Sequence, residues 1–238
     1  MGVSLEIIAE KQTLPNELDN DLHLFRAVYK ADYKGLPVKA HGVRELQRDS
    51  NGVYTLRSDA TSFIASIEES SAFTFRNGKI KPIQYEYHRT GIGRERHAIL
   101  DFDWQKMTVL NNVQSKPWKM SVSENSLDKL VYQLQMRADL LHARSQSLPW
   151  PDLKYEIADG GKLKHYEFEV IGEEIIETPM GEINTLKIMR IKHRKNRETA
   201  LWLAPDYDFL LVRLQQLEGN GKGFELLLKE AEFDGKSI

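Results

Sequence analysis

The sequence predicts a mostly β protein: a curved antiparallel meander that forms an open or half-closed β-barrel with one main amphipathic helix. Three observations support this fold class. Apolar and polar residues alternate along many short segments, which is the period of a half-buried strand. Turn signals such as Asn-Gly separate these segments. A single stretch near the middle of the chain instead has apolar residues at helical spacing.

The chain is predicted to divide into a flexible N-terminal arm, 1–22, and a single β-rich domain, 23–238. The arm is polar and shows no periodic pattern. The domain opens with a strand over Phe25–Ala31 in which alternate residues share one apolar face. Three hairpins are predicted to follow, over 38–60, 72–87 and 97–110.

The one predicted helix covers about residues 126–144. Asn125 or Ser126 can supply the N-cap oxygen, and Asp128 suits the positive start of a helix. Its apolar residues recur on one helix face, at Leu127, Leu130, Val131, Leu134, Ala138 and Leu141. After Pro151 the alternation resumes, and the last predicted strands lie within 166–170, 183–191, 199–203, 209–217 and 224–229.

The composition is that of a chain with a substantial core and a mixed surface. The 238 residues are 41% hydrophobic and 29% charged, with a net charge of -2. This balance gives no electrostatic footprint for nucleic acid. No apolar run reaches the roughly 18 residues of a membrane helix, and no signal peptide is visible. We therefore expect no nucleic-acid partner and no membrane span, and the absence of cysteine excludes thiolate chemistry.

Motifs for catalysis and metal binding are missing from the sequence. It contains no H-E-x-x-H zinc motif, no phosphate-binding loop followed by a helix, and no G-x-S-x-G nucleophile turn. One cluster could carry acid–base chemistry: His88 and His97 would face each other across a hairpin, with Asp101 nearby. Surface histidines are the commoner explanation, so no catalytic residue, metal ligand or cofactor is assigned.

Aromatic and apolar side chains near strand and helix ends are the candidate binding residues. An incompletely closed barrel has room for an apolar ligand, although bulky side chains also fill ordinary cores. The sequence does not distinguish a hollow interior from a filled one. The residues expected to line a ligand cavity are Trp104, Tyr132, Leu134, Trp202 and Phe209. Those expected on a partner surface are Trp202, Tyr207 and Arg213.

Several segments occur in the order typical of one known family. They are Tyr29–Pro37, Arg89–Arg94, Asp101–Trp104, Leu127–Gln135 and Leu201–Arg213. Over about residues 24–236 the chain resembles the domain of unknown function 3108 family. The resemblance implies an exported, periplasmic protein of Gram-negative bacteria, and no established activity comes with it. The architecture is also similar to that of periplasmic lipoprotein carriers, whose open β-barrel holds acyl chains under a helical lid.

Three functions remain open at this point, in order of preference. The first is a non-enzymatic periplasmic binding module that holds lipid, acyl chain or lipoprotein between a concave sheet and the helix. The second is an envelope interaction or assembly protein that binds its partner through a sheet edge or an exposed aromatic patch. The third is a hydrolase-like enzyme that uses His88, His97 and Asp101. The expected partners are thus an apolar small molecule, a lipoprotein or another envelope protein.

Overall fold

The computed structural model describes residues 22–34, 39–91, 93–191 and 197–238, so the predicted arm lies almost wholly outside the described residues. The described chain contains sixteen strands, one α-helix and one 3-10 turn. The strands of the first half are β1 (Phe25–Lys34), β2 (Lys39–Arg48), β3 (Tyr54–Ser62), β4 (Ala65–Arg76), β5 (Lys79–Gly91), β6 (Arg96–Asp103), β7 (Thr108–Val113) and β8 (Lys116–Ser121). Those of the second half are β9 (Ser126–Asp128), β10 (Leu153–Asp159), β11 (Lys162–Thr178), β12 (Gly181–Arg190), β13 (Arg197–Ala204), β14 (Leu210–Glu218), β15 (Gly223–Phe233) and β16 (Lys236–Ser237). The helix α1 (Tyr132–Ser145) lies between β9 and β10, and the turn Pro205–Tyr207 lies between β13 and β14.

All the strands belong to one sheet made of two meanders. Strands β1 to β8 pair in chain order, strands β10 to β15 do the same, and β1 joins the two series by pairing with β15. These pairs are antiparallel, whereas β9 adds to β10 in parallel. The predicted antiparallel meander is confirmed, and its three hairpins correspond to β2–β3, β4–β5 and β6–β7.

The sheet curls until its two ends approach each other, although no hydrogen-bonded ladder closes it within the described residues. Strands β8 and β9 stand at opposite ends of the strand order, yet only residues 122–125 connect them. Five residue steps span at most about 18 Å, so the two ends must lie near each other. The Ser71 hydroxyl on β4 also donates to Asp128 on β9 at 2.5 Å. The predicted half-closed barrel is therefore confirmed.

The predicted start of the helix near residue 126 is wrong. Ser126–Asp128 forms β9, and α1 begins only at Tyr132. The reason is the carboxylate of Asp128, whose Oδ1 accepts the backbone N–H groups of Leu130 and Val131 at 2.8 and 3.0 Å. These bonds hold a turn between strand and helix, and they compete with an earlier helical start.

The predicted N-cap of the helix is also wrong. Neither Asn125 nor Ser126 is adjacent to α1; the residue before its first turn is Val131, which has no side-chain cap hydrogen bond. The hydroxyl of Ser126 instead accepts the backbone N–H of Ser123 at 2.9 Å. Ser126 thus stabilises the loop that leads into β9.

The helix α1 lies on the concave side of the sheet. Its residues contact the first meander at β2 and β5 and the second at β10, and a helix can touch strands of both meanders only from within the curve. The core forms between α1 and the inward faces of the strands. The face predicted for the first strand is part of it, since Phe25, Ala27, Tyr29 and Ala31 are all buried.

Candidate functional site

Two arginine side chains are buried in the core beneath α1. Arg44 lies on β2 between the buried positions Gly42 and Leu46, and Arg137 lies on the buried side of α1. Only 6% of Arg44 and 8% of Arg137 is exposed. Alternate residues of a strand share one face, so Arg44 occupies an inward position where the pattern calls for an apolar side chain.

Arg137 is held by aromatic rings and a backbone carbonyl. Its guanidinium lies 4.7 Å from the ring centre of Phe25 and 6.0 Å from that of Phe233. Its Nε donates to the carbonyl oxygen of Asp208 at 2.9 Å. Burial lowers the pKa of Arg137 to about 10, against the opposing effect of the Asp208 carboxylate. The side chain therefore stays charged at neutral pH.

Arg44 has fewer partners than its burial requires. Its Nη1 donates to Oε1 of Gln133 on α1 at 2.7 Å. Its Nε is buried and has no hydrogen-bond partner among the described residues. Among the described residues, no carboxylate forms an ion pair with Arg44 or Arg137. The carboxylate of Asp208 bonds to the His23 ring instead. A buried cation without a counter-charge is destabilising by several kcal/mol.

Both arginines line one small cavity under α1. Its volume is about 10 Å³, which is room for about one water molecule. The hydroxyl of Tyr29 beside it donates to the carbonyl of Leu211 at 2.8 Å, and burial raises the pKa of Tyr29 to about 12. The remaining lining is apolar except for Gln133, and consists of Phe25, Leu134, Met136, Leu201, Leu203, Leu210 and Leu211. In this conformation α1 closes over a filled interior.

Of the five residues predicted for a ligand cavity, Leu134 lines this one. Tyr132, two residues earlier on α1, packs in an aromatic cluster, with its ring centre 5.7 Å from that of Phe168. Trp104 lies elsewhere, in the turn after β6, and its Nε1 donates to the carbonyl of Pro82 at 2.7 Å. Leu134 and Trp104 therefore belong to separate parts of the molecule.

Phe209 and Tyr207 flank the turn that leads from β13 to β14. Asp208 and Phe209 both have positive φ, 51° and 55°. Phe209 is fully buried, with the Trp150 ring edge-on at 6.0 Å, and Tyr207 is half-buried. This kinked backbone presents the Asp208 carbonyl to Arg137, so the Phe209 region supports the cavity from outside its lining.

Trp202 lies on the outer face of β13, opposite to the cavity-lining Leu201. Its indole N–H donates to Oε2 of Glu174 at 2.7 Å. The ring lies between two cations, with Lys187 at 5.1 Å and Arg213 at 4.7 Å from its centre. These neighbours leave only 4% of Trp202 exposed. Of the three predicted partner-surface residues, Trp202 and Arg213 thus contact each other, and Tyr207 lies apart from them in the 3-10 turn.

The structure brings two of the three candidate catalytic residues together. His88 and His97 are register partners on β5 and β6, with ring centres 5.3 Å apart. Each ring bonds to a surface carboxylate, His88 to Glu95 at 3.0 Å and His97 to Glu86 at 2.7 Å. Asp101 lies four residues beyond His97 on the same strand, a separation of about 13 Å. The three side chains do not converge, and no cluster of His, Cys, Asp or Glu among the described residues could hold a metal ion.

Two other clefts have charged linings. One, of about 70 Å³, lies at the seam between the ends of the sheet and is lined in part by Tyr85, Arg96, Lys129 and Asp159. Another, of about 180 Å³, is an open cleft on the outer face of β1 and β15. Its rim carries Arg26, Lys229, Glu230 and Glu232. Both linings contain at least one carboxylate beside their cations, whereas the cavity beneath α1 is lined by two arginines and no acidic side chain.

Arg44 and Arg137 were not predicted from the sequence. A signal for both exists in the sequence, because each is a charged residue at a position where the period predicts an apolar one. Arg44 stands two residues before the inward-facing Leu46, and Arg137 stands three residues after Leu134 on the same helix. Looking for charges within apolar faces, in addition to apolar faces themselves, would have found the pair.

The fold and this interior define a barrel-like β protein in which one helix packs inside a single curved sheet. Residues 28–229 match the family described as "Protein of unknown function (DUF3108)", and the chain belongs to that family. The family resemblance noted in the sequence is therefore confirmed. No curated protein matches the chain.

Solved structures with a similar fold include a β-barrel-like protein of domain of unknown function DUF1849 from Brucella abortus. It is 9% identical with a TM-score of 0.56, and the match covers 89% of this chain and 98% of that one. A putative lipoprotein from Parabacteroides distasonis is 13% identical with a TM-score of 0.34, and the match covers 89% of this chain and 96% of that one. The Pseudomonas aeruginosa MucA/MucB complex is 9% identical with a TM-score of 0.37, and the match covers 91% of this chain and 53% of that one. Of these three structures, the Brucella protein is the one with a TM-score above 0.5, and it supports the barrel-like fold.

Among the described residues, no helix combines the length and the apolar character needed to cross a membrane.

Proposed function

We propose that this chain is a non-enzymatic binding module of the periplasm, whose ligand is a lipid or acyl chain taken up between α1 and the concave face of the sheet. The observation that carries the proposal is the way α1 is attached. The surface beneath it is rich in leucine, whereas several of the contacts that fasten it to the strands are polar side-chain hydrogen bonds. The periplasmic location is supported by the resemblance to exported proteins.

The fastenings are spread along the whole helix. Gln135 bonds to the carbonyl of Gly78 and accepts the amide of Ile80, both at 2.8 Å. Near the end of the helix, Asp139 accepts the hydroxyl of Tyr155 at 3.0 Å, and Arg144 donates to Asp206 at 2.9 Å. Water can replace such bonds when a helix moves, so each contributes only about 0.5–1.5 kcal/mol net. An incoming apolar chain would replace the apolar contacts of α1.

Binding can be measured on the purified full chain with dodecanoate as the probe, by native mass spectrometry and hydrogen exchange. The expected result is a one-to-one complex in which the amides of 132–145 and 201–211 gain protection, because the ligand lies between these segments. Protection gained only on outer strands such as β8 would place the ligand elsewhere and contradict the proposal.

A matched pair of variants tests the location. Leu134→Phe adds volume to the cavity lining, whereas Leu140→Phe adds it at a fully buried position of α1 outside that lining. Both are expected to cost stability by about 1–3 kcal/mol through overpacking. Only Leu134→Phe should weaken dodecanoate binding, by roughly tenfold or more, since it fills the space the chain would enter. Equal losses in the two variants would argue against this site.

The alternative, a protein partner bound by strand addition, has less support from the exposed edge. Strand β8 ends the sheet, and it carries Lys116, Pro117 and Lys119. Lysine and proline on an edge strand disfavour pairing with another chain.

A further inference from the structure

We propose that Arg44 and Arg137 form a carboxylate-binding site, and that the ligand is therefore a fatty acid whose headgroup lies between the two guanidinium groups. This inference rests on the proposed function, because it assigns the headgroup of the same ligand. The observation behind it is the excess of positive charge in the interior beneath α1. A neutral lipid would leave that charge without a counter-charge.

Among the described residues, two arginines line this cavity and no acidic side chain does. Arg137 bonds to a backbone carbonyl and aromatic faces, and Arg44 bonds to the neutral amide of Gln133. The nearby carboxylate of Asp208 is engaged by His23. A buried cation is normally matched by an opposite charge and by full hydrogen bonding. An anion from outside the chain would supply both.

The unpaired Nε of Arg44 identifies one donor that an anion from outside the chain could bind. Only 6% of Arg44 is exposed. Its Nε is shielded from solvent and has no hydrogen-bond acceptor within the described chain. A guanidinium presents its donors as a planar fork that fits the two oxygens of a carboxylate. Arg44 lies on a strand and Arg137 on the helix, so a headgroup between them would be held from both sides.

The rest of the lining suits the tail of a fatty acid. Leu201 and Leu203 on β13 and Leu210 and Leu211 on β14 line the same cavity as the arginines. These leucines form an apolar surface next to the arginines. The cavity has room for about one water in the closed state, so the ligand must displace part of α1 as it enters.

A headgroup series measures the preference directly. Titration calorimetry on the full chain would compare dodecanoate, dodecanol and dodecyl phosphate, which share one chain length. Dodecanoate should bind at least tenfold more tightly than dodecanol, since the alcohol leaves both cations without a counter-charge. Dodecyl phosphate should bind more weakly than dodecanoate, because the small space admits the planar headgroup more readily than the tetrahedral one.

Three variants show whether the arginines cause the preference. Arg44→Met and Arg137→Met should each reduce the dodecanoate-to-dodecanol affinity ratio by roughly tenfold to a hundredfold, the range for lost hydrogen bonds to a charge. Arg57→Met removes the same charge from an exposed position of β3 and should leave the ratio unchanged. Because the ratio is taken within each variant, partial loss of folded protein does not mimic the effect.

Thermal unfolding without ligand provides an independent measure of the Arg44 variant. Arg44→Met should keep or raise the unfolding midpoint, because it removes an unmatched buried charge while keeping an apolar side chain of similar length. A residue retained for stability would show the opposite, a clear drop in the midpoint.

The outcomes separate the two proposals. Equal binding of dodecanol and dodecanoate would overturn the carboxylate site and leave the apolar-ligand function standing. Tighter binding of dodecyl phosphate would overturn the carboxylate in favour of a phosphate headgroup. If none of the three probes binds, the proposed function and this inference both fail.

Discussion

At the scale of single residues, the interior of this protein holds more charge than its strand pattern predicts. Arg44, Asp128 and Arg137 all occupy buried positions. Asp128 differs from the arginines, because its carboxylate is fully supplied with donors: the Ser71 hydroxyl and two backbone amides bond to it. The hydrogen bonds to Asp128 organise the turn between β9 and α1, whereas the Nε of Arg44 has no acceptor among the described residues.

Asp128 should make stability depend on pH. Burial raises its pKa from 3.8 to about 6 in the folded state, despite the hydrogen bonds that oppose the shift. Between these two pKa values the folded chain binds more protons than the unfolded chain. The free energy of unfolding therefore falls by about 3 kcal/mol as pH rises from about 4 to 6, which is the amount expected for a shift of this size. Above about pH 6 it levels off.

The variant Asp128→Asn should remove this dependence, since the amide can still accept the backbone N–H groups and donate to Ser71. Denaturant unfolding at several pH values would show the stability gain over wild type growing between pH 4 and 6. The exposed Asp152→Asn is the control and should change stability little at any pH. A gain from Asp128→Asn that is constant across pH would contradict the assignment.

At the scale of elements, α1 shows both what periodicity predicts and what it omits. The helical spacing through Leu134 and Leu141 correctly indicates one helix in this part of the chain. The spacing continues backwards through Leu127 and Leu130, and this is why the helix was expected to start too early. Those residues are buried as the pattern implies, but in β9 and the turn that follows it.

Gln135 is the polar fastening of α1 with the clearest expected effect. Its side chain accepts the amide of Ile80 and donates to Gly78 and Asp139. Gln135→Ala would leave the buried Ile80 amide without an acceptor, at a cost of about 1–3 kcal/mol. Denaturant unfolding measures the loss, and hydrogen exchange should show faster exchange within α1.

The control for Gln135→Ala is Gln105→Ala, at an exposed turn position. It should change stability by less than about 0.5 kcal/mol. If the two variants were equally stable, the hydrogen bonds of Gln135 would not hold α1 to the β4–β5 hairpin.

At the scale of the whole molecule, closure of the sheet depends on side chains, because no ladder joins its ends within the described residues. Trp118 on the end strand β8 packs against Gly161 in the turn between β10 and β11. A Cβ atom at Gly161 would lie 2.3 Å from the indole Nε1, so only glycine permits this contact. The contact joins the first meander to the second across the seam.

Adjacent glycines give a matched test of this closure. Gly160 and Gly161 both have positive φ, 63° and 77°, so alanine at either incurs a similar strain of about 1 kcal/mol. Nothing lies within 4 Å of a Cβ at Gly160. Gly161→Ala should therefore be the more destabilising of the two, and it should increase the quenching of Trp118 fluorescence above the level that its 37% exposure already allows.

The same pair in a Trp118→Phe background completes a double-mutant cycle. The smaller ring does not reach as far, so the two alanine variants should become nearly equal in free energy of unfolding. If Gly161→Ala remained worse than Gly160→Ala by an unchanged amount, the clash with Trp118 would not be its cause.

The sequence by itself determined the fold class of this protein. Alternating apolar residues, Asn-Gly turns and one helical segment are local signals, and they correctly predicted the hairpins, the buried face of β1 and the presence of α1. Local spacing acts within one element, which is why these features could be read without knowing what each element packs against.

Only the tertiary structure decided where the candidate site lies. Trp202 and Leu134 are both apolar residues in periodic segments, yet Trp202 lies between cations on the outer face while Leu134 lines the interior. Arg44 on β2 and Arg137 on α1 are 93 positions apart in the sequence. They line the same cavity because the sheet curls around the helix. No acidic side chain of the described chain lines the cavity they share, and that balance depends on every side chain around them.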